Sequence, residues 1–203
     1  MQLCEGELVF SFPDNLSASL YDQWKSRIRF ESAFKDGNKK DDCSKGTRAV
    51  DFIVLDNKTL WLIEVKDYRN PQKRKKAIPK PSKLSCLIAC KIRDTLSGLV
   101  VAKMNAKNSN EREFAHQALK KEKIRLVLHL EQSKQHPQII NPIDIQQTLK
   151  KLLKKIDPHP LVVSQHNLHK SMKWSVYSKR PQDQEKYKNN DSPIFANFEH
   201  YSQ

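Results

Sequence analysis

The chain is short of everything that would make it a zinc protein, a secreted protein or a membrane protein. Its 203 residues hold four cysteines, Cys4, Cys43, Cys86 and Cys90, and no CxxC pair. Cys86 and Cys90 stand four apart in an apolar helical stretch, which predicts core thiols. His159, His166 and His169 gather around a proline and polar residues with no cysteine or acid at ligand spacing, so a zinc site is not expected. The N-terminus, MQLCEGELVFSF, lacks a basic n-region and a long apolar run, and no segment is long enough to span a bilayer. A cytoplasmic protein with no membrane partner is the expectation. Internal repeats and coiled-coil patterns are missing as well.

Acids are also in deficit. Lys and Arg total 37 against 23 Asp and Glu, a formal net charge of +14. An excess of that size suits a partner made of phosphates, hence nucleic acid.

At this length one domain is expected, here residues 1–180, followed by a polar C-terminal tail, 181–203, in which IFANF could dock as an anchor. ELVFSFPDN predicts a strand ending at Pro13, and LSASLYDQWKSRIRFESAF a helix with Leu16, Leu20, Trp24 and Ile28 at helical spacing. RAVDFIVL and LWLIEVK, joined by DNKT, predict a β-hairpin. Helices are expected over LSCLIACKIRDTLSGLVVAKMNA, where Gly98 is the one weak point, and over EREFAHQALKKE. A buried strand, IRLVLHLE, follows. IDIQQTLKKLLKKI reads as an amphipathic helix with Ile143, Ile145, Leu149, Leu152 and Ile156 near one face. LVVSQH and KWSVYS complete an α/β order: a central mixed β-sheet flanked by helices.

The hairpin is the most apolar segment of a polar chain, yet it carries Asp51, Glu64 and Lys66. Burying a carboxylate costs several kcal/mol unless it is paired. Strand alternation puts Glu64 and Lys66 on the face of Leu60 and Leu62, with Trp61, Ile63 and Val65 on the other. A hairpin turning at DNKT has its centre between residues 57 and 58, which sets Asp51 directly opposite Glu64. Two adjacent carboxylates repel, and removing one should relieve the repulsion. A divalent cation resolves the conflict too: Mg²⁺, with Mn²⁺ able to substitute, takes carboxylate oxygens and phosphate oxygens together. Asp51, Glu64 and the carbonyl of Val65 are the candidate metal ligands. Lys66 would hold an attacking water or stabilise charge on a phosphate.

An acid on one strand followed by Glu64-Val65-Lys66 on the next resembles the PD-(D/E)xK nuclease superfamily, which has the restriction-endonuclease-like fold. The order helix, hairpin, helix, strand over roughly residues 15–131 is similar to that family's core. The family's proline before the first acid is replaced here by Val50. The resemblance implies a restriction-endonuclease-like core and a Mg²⁺-dependent nuclease, an endonuclease hydrolysing phosphodiester bonds, of DNA in preference to RNA. It implies Asp51, Glu64 and Lys66 as catalytic residues. Glu31 would be an extra acid from the first helix, and Lys91, on the helix that packs on the hairpin, a phosphate contact. A restriction or phage-defence setting follows by analogy, with a helicase or recognition subunit as protein partner. The alternative is a catalytically inactive nucleic-acid-binding or assembly subunit of the same fold.

Arg69, Lys73, Arg74, Lys75, Lys76, Lys80 and Lys83 follow directly on the EVK strand. Arg69, Lys73, Arg74, Lys75 and Lys76, together with Lys91, are the expected backbone contacts, strengthening binding in a salt-dependent way without reading sequence.

Overall fold

The computed structural model describes residues 1–27, 47–69, 79–133 and 140–179. It is a mixed α/β protein with two sheets. Strands β3 (Ser17–Leu20), β4 (Phe52–Leu55), β5 (Thr59–Asp67), β6 (Lys123–Glu131) and β7 (Leu161–Val163) form a five-stranded mixed sheet in that order. The first three pair antiparallel, while β5, β6 and β7 run parallel. Strands β1 (Gln2–Glu5), β2 (Leu8–Ser11) and β8 (Ser175–Ser178) form a separate antiparallel sheet in the order β1-β2-β8. Helices α1 (Pro81–Asn105) and α2 (Ser109–Leu119) connect β5 to β6, and α3 (Pro142–Leu153) connects β6 to β7.

The alternation of the strands builds three layers. Ile53, Leu55, Leu60, Leu62, Leu126 and Leu128 pack against Leu84, Ile88, Ile92 and Leu99 of α1 and Ile145, Leu149 and Leu153 of α3. The other face, including Phe52, Val54, Trp61, Ile63, Val65 and Val127, packs against Leu8, Phe10 and Val176 of the small sheet. Both faces of the central strands are therefore apolar, which is why they read as continuous hydrophobic runs.

The hairpin has the register expected for it: Phe52 pairs with Ile63 and Leu55 with Leu60. The segment expected as a helix from Leu16 onward does not begin as one. Ser17–Leu20 is instead an edge strand on β4, followed by a 3-10 turn, Tyr21–Gln23. Pairing with the buried β4 outweighs the helical spacing of Leu16, Leu20 and Trp24. The single predicted N-terminal strand is a hairpin, β1-β2, and KWSVYS joins that hairpin rather than the central sheet. Cys86 is exposed and Cys90 half-buried, because the buried stripe of α1 runs through Leu84, Ser85, Ile88, Ala89 and Ile92. On α3 the buried ridge is Ile145, Leu149, Leu153 at spacing i, i+4, i+8, which leaves Ile143 and Leu152 exposed. The predicted tail, 181–203, lies outside the described residues.

Helix α1 runs unbroken through Gly98, and the reason is a close approach. A Cβ at Gly98 would collide with the hydroxyl of Tyr21, a side chain buried under the helix. That hydroxyl donates to the carbonyl of Thr95 at 3.4 Å. Gly98→Ala should therefore destabilise by about 1–3 kcal/mol, the scale of overpacking, despite alanine's better helix propensity. Combining it with Tyr21→Phe should recover most of the loss in urea unfolding. A neutral Gly98→Ala would show that Tyr21 gives way freely and that the glycine is not required.

Candidate functional site

The site lies where the C-terminal part of β5 meets the start of β4 beneath α1. Asp51 precedes β4 and is tied down twice by backbone. Its carbonyl accepts from the Tyr21 N–H at 2.9 Å, and its Oδ2 accepts from the Val65 N–H at 2.6 Å. Glu64 is fully buried on the helix-facing side of β5. Lys66 Nζ donates to Glu64 Oε1, and Lys91 Nζ, reaching down from α1, lies 2.7 Å from Oε1 and 2.9 Å from Oε2. Lys91 Nζ is also 3.8 Å from Asp51 Oδ1. The buried acid is thus held by two lysines, one from its own strand and one from the helix above.

Lys66 Nζ also donates to the Val65 carbonyl at 3.2 Å, so that oxygen, expected as a metal ligand, accepts a lysine proton here. The oxygens that converge on one point are a different set. Glu5, Asp22 and Asp51 each offer a carboxylate oxygen within 4.8 Å of the others. Glu5 comes from the end of β1 and Asp22 from the 3-10 turn, so all three are brought together by tertiary structure alone. Sequence reasoning passed over both: Glu5 sits in an ordinary hairpin, and Asp22 in a stretch that read as helix. Glu31 and Lys73, Arg74, Lys75 and Lys76 lie outside the described residues.

The electrostatics match this geometry. Burial, reinforced by the charge of Asp51, raises the pKa of Glu64, and its two lysines only partly oppose this. Burial also raises Glu5, with Asp51 and Asp22 adding to the effect, and raises Asp22, where Asp51 again adds. Burial alone would lower Lys66, but the adjacent Glu64 carboxylate prevails and raises it. Three clustered hard-oxygen donors, with the charged forms of Glu5 and Asp22 disfavoured, fit a divalent cation such as Mg²⁺.

Arg69, expected at a nucleic-acid backbone, is buried rather than presented to a partner: its Nε and Nη2 make a two-pronged pair with Asp67, each at 2.9 Å. Lys91 points into the acid site and is partly exposed there. Asp94 accepts from the Arg48 N–H at 2.9 Å, fixing the entry to β4 against α1. No helix among the described residues is long and apolar enough to cross a membrane.

No family model matches the chain, and no solved structure matches it. The chain is similar to a cysteine–tRNA ligase from Neisseria meningitidis serogroup A / serotype 4A, 37% identical over 145 residues. The match takes in 64% of this chain and 21% of the ligase, so the chain spans about a fifth of that relative's length. The similarity is to part of an enzyme, and that enzyme is a ligase. This overturns the nuclease expectation, with its endonuclease activity on DNA and its restriction or phage-defence setting.

Proposed function

We propose that the chain serves an aminoacyl-tRNA-synthetase-related function, as a module that engages tRNA in support of cysteine attachment. The observation that carries this reading is the 37% identity over 145 residues to a cysteine–tRNA ligase. Because the similarity spans about a fifth of that enzyme, the reading assigns the chain tRNA engagement rather than the whole ligation reaction. The +14 formal charge supports an RNA partner, and the cytoplasm is the compartment the reading implies.

In this reading Glu5, Asp22 and Asp51 would hold Mg²⁺, or Mn²⁺ in its place, which would supply positive charge for an RNA phosphate. Lys66 and Lys91 pair with Glu64 and orient their side-chain nitrogens beside the same point. Lys73, Arg74, Lys75 and Lys76, which follow β5 in the sequence, add further phosphate contacts in this reading. The mixed order of β3-β4-β5-β6-β7, with the acids at the hairpin, supports a restriction-endonuclease-like core as a relationship of architecture, and one architecture hosts many functions.

Fluorescence-anisotropy titration of a cysteine-accepting tRNA, with duplex DNA as competitor, tests this. The chain should prefer tRNA, and chelating divalent ions should weaken the complex. Neutralising residues 73–76 together should flatten the slope of log K against log salt by about 0.7–0.9 for each phosphate that is no longer neutralised. Equal affinity for duplex DNA, or no tRNA binding at low salt with Mg²⁺ present, would sink the reading.

A further inference from the structure

A second concavity opens on the same edge of the sheet and is chemically unlike the first. It lies at the carboxyl ends of the parallel strands β6 and β7, beside the start of α3, with a volume of about 390 Å³. Its walls include Leu130 and Val162, and its polar groups include Glu131, Ser133, Ser164 and Asn167. That volume falls within the range of about 300–1,000 Å³ typical of small-molecule sites, and mixed apolar walls with a few convergent polar groups are their usual lining.

Glu131 sets the chemistry. It is 2% exposed. Its Oε1 accepts from the Gln165 N–H at 2.6 Å and from His129 Nε2 at 2.9 Å. Both bonds take the same oxygen, and Oε2 has no hydrogen-bond partner among the described residues. Among the described residues that line it there is no lysine or arginine, in a chain whose net charge is +14. A phosphate or a free carboxylate would find no strong cation in that lining. The cavity suits a neutral, flat group that presents an N–H donor to a carboxylate and apolar faces to Leu130 and Val162.

We propose that this cavity is a nucleobase site, selective for bases that carry an exocyclic amino group. A carboxylate accepting from such an amine, as from cytosine N4, is an established mode of base recognition. The sheet register places it suitably: Lys66 pairs with Leu130 and Asp67 with Glu131, so the cavity lies one strand beyond the acid–lysine site. Adjacent strands are about 4.8 Å apart. Glu131 shares the small-sheet side with His129, opposite to Glu64 and Lys66. A nucleic-acid strand whose phosphate meets Lys66 and Lys91 therefore reaches the cavity by passing round the carboxyl ends of β5 and β6. This placement rests on the tRNA reading, whereas recognition of a free base does not.

Equilibrium dialysis of the full chain against free nucleosides separates the two. Cytidine should bind at least about tenfold more tightly than uridine, and adenosine than inosine, pairs that differ in the amino group. Ser164→Phe, which fills the cavity and leaves Glu131 intact, should abolish cytidine binding while thermal unfolding stays cooperative. Glu131→Gln should erase the preference for cytidine over uridine. Equal binding within both pairs, cytidine binding that survives Ser164→Phe, or displacement of cytidine by free cysteine would each overturn the proposal. A chain that binds cytidine selectively but not tRNA would overturn only the function proposed above, and one that binds tRNA but no nucleoside only the cavity's role.

Discussion

Replacing Lys66 and Lys91 together by methionine should cost about 3–5 kcal/mol of folding stability near pH 8, the scale for stranding one partner of a buried ion pair. Glu64 is fully buried, and these two ammonium groups are its cationic partners among the described residues. Either single replacement should cost much less, because the remaining lysine still reaches Oε1. The loss should shrink on acidification. Glu64 has a pKa raised above its ordinary value of 4.5, by burial first and by Asp51 second. A carboxyl group whose folded pKa is raised favours the folded state fully below its unfolded value. That contribution disappears as pH rises through the folded value. The double variant should therefore regain stability between neutral pH and about pH 4.5, and adding Glu64→Leu should remove both the deficit and its pH dependence. Urea unfolding across that range measures it. A loss under about 1 kcal/mol, or one independent of pH, would mean that Glu64 does not depend on the two lysines.

The second large effect is stabilisation by a divalent cation. With Mg²⁺ at about a hundred times its dissociation constant, stability should rise by about 2.7 kcal/mol near pH 8. The gain should fade as pH falls, because Glu5 and Asp22 have pKa values raised from 4.5 and 3.8 by burial and by neighbouring acids, so protons displace the cation early. Without metal the same two groups favour folding at low pH and cease to do so as pH climbs through their folded values. Mg²⁺ should thus flatten the pH profile from its alkaline side. Asp51→Asn is the informative substitution. Simple relief of repulsion suggests that losing Asp51 is harmless, but its Oδ2 holds the buried Val65 N–H at 2.6 Å, and alanine would orphan that donor. Asparagine keeps an acceptor and removes the charge, so it should abolish the Mg²⁺ gain at little cost to the apo protein. A gain that persists in Asp51→Asn combined with Asp22→Asn would place the cation elsewhere.

Much of the site was legible from the hairpin. Alternation in LWLIEVK and a turn at DNKT sufficed to put Glu64 and Lys66 on one face and Asp51 across from Glu64, because a strand period of two and a tight turn leave a single register. The α/β class followed from the order of periodic segments. Lys91 was suggested by the family resemblance alone, as a phosphate contact, whereas the structure sets its side-chain nitrogen against Glu64 and Asp51. Three things were decided only by the tertiary structure. Ser17–Leu20 became a strand because the open edge of β4 was there to pair with. Arg69 turned inward because Asp67 could grip it two residues away. Glu5 and Asp22 joined Asp51 because the small sheet and the 3-10 turn meet at the start of β4, a juxtaposition with no signature in local spacing. The sequence by itself determined which strand carries the buried charges, since periodicity is local. The packing of distant segments determined which oxygens face one another, since a through-space cluster depends on neighbours that no sequence interval encodes.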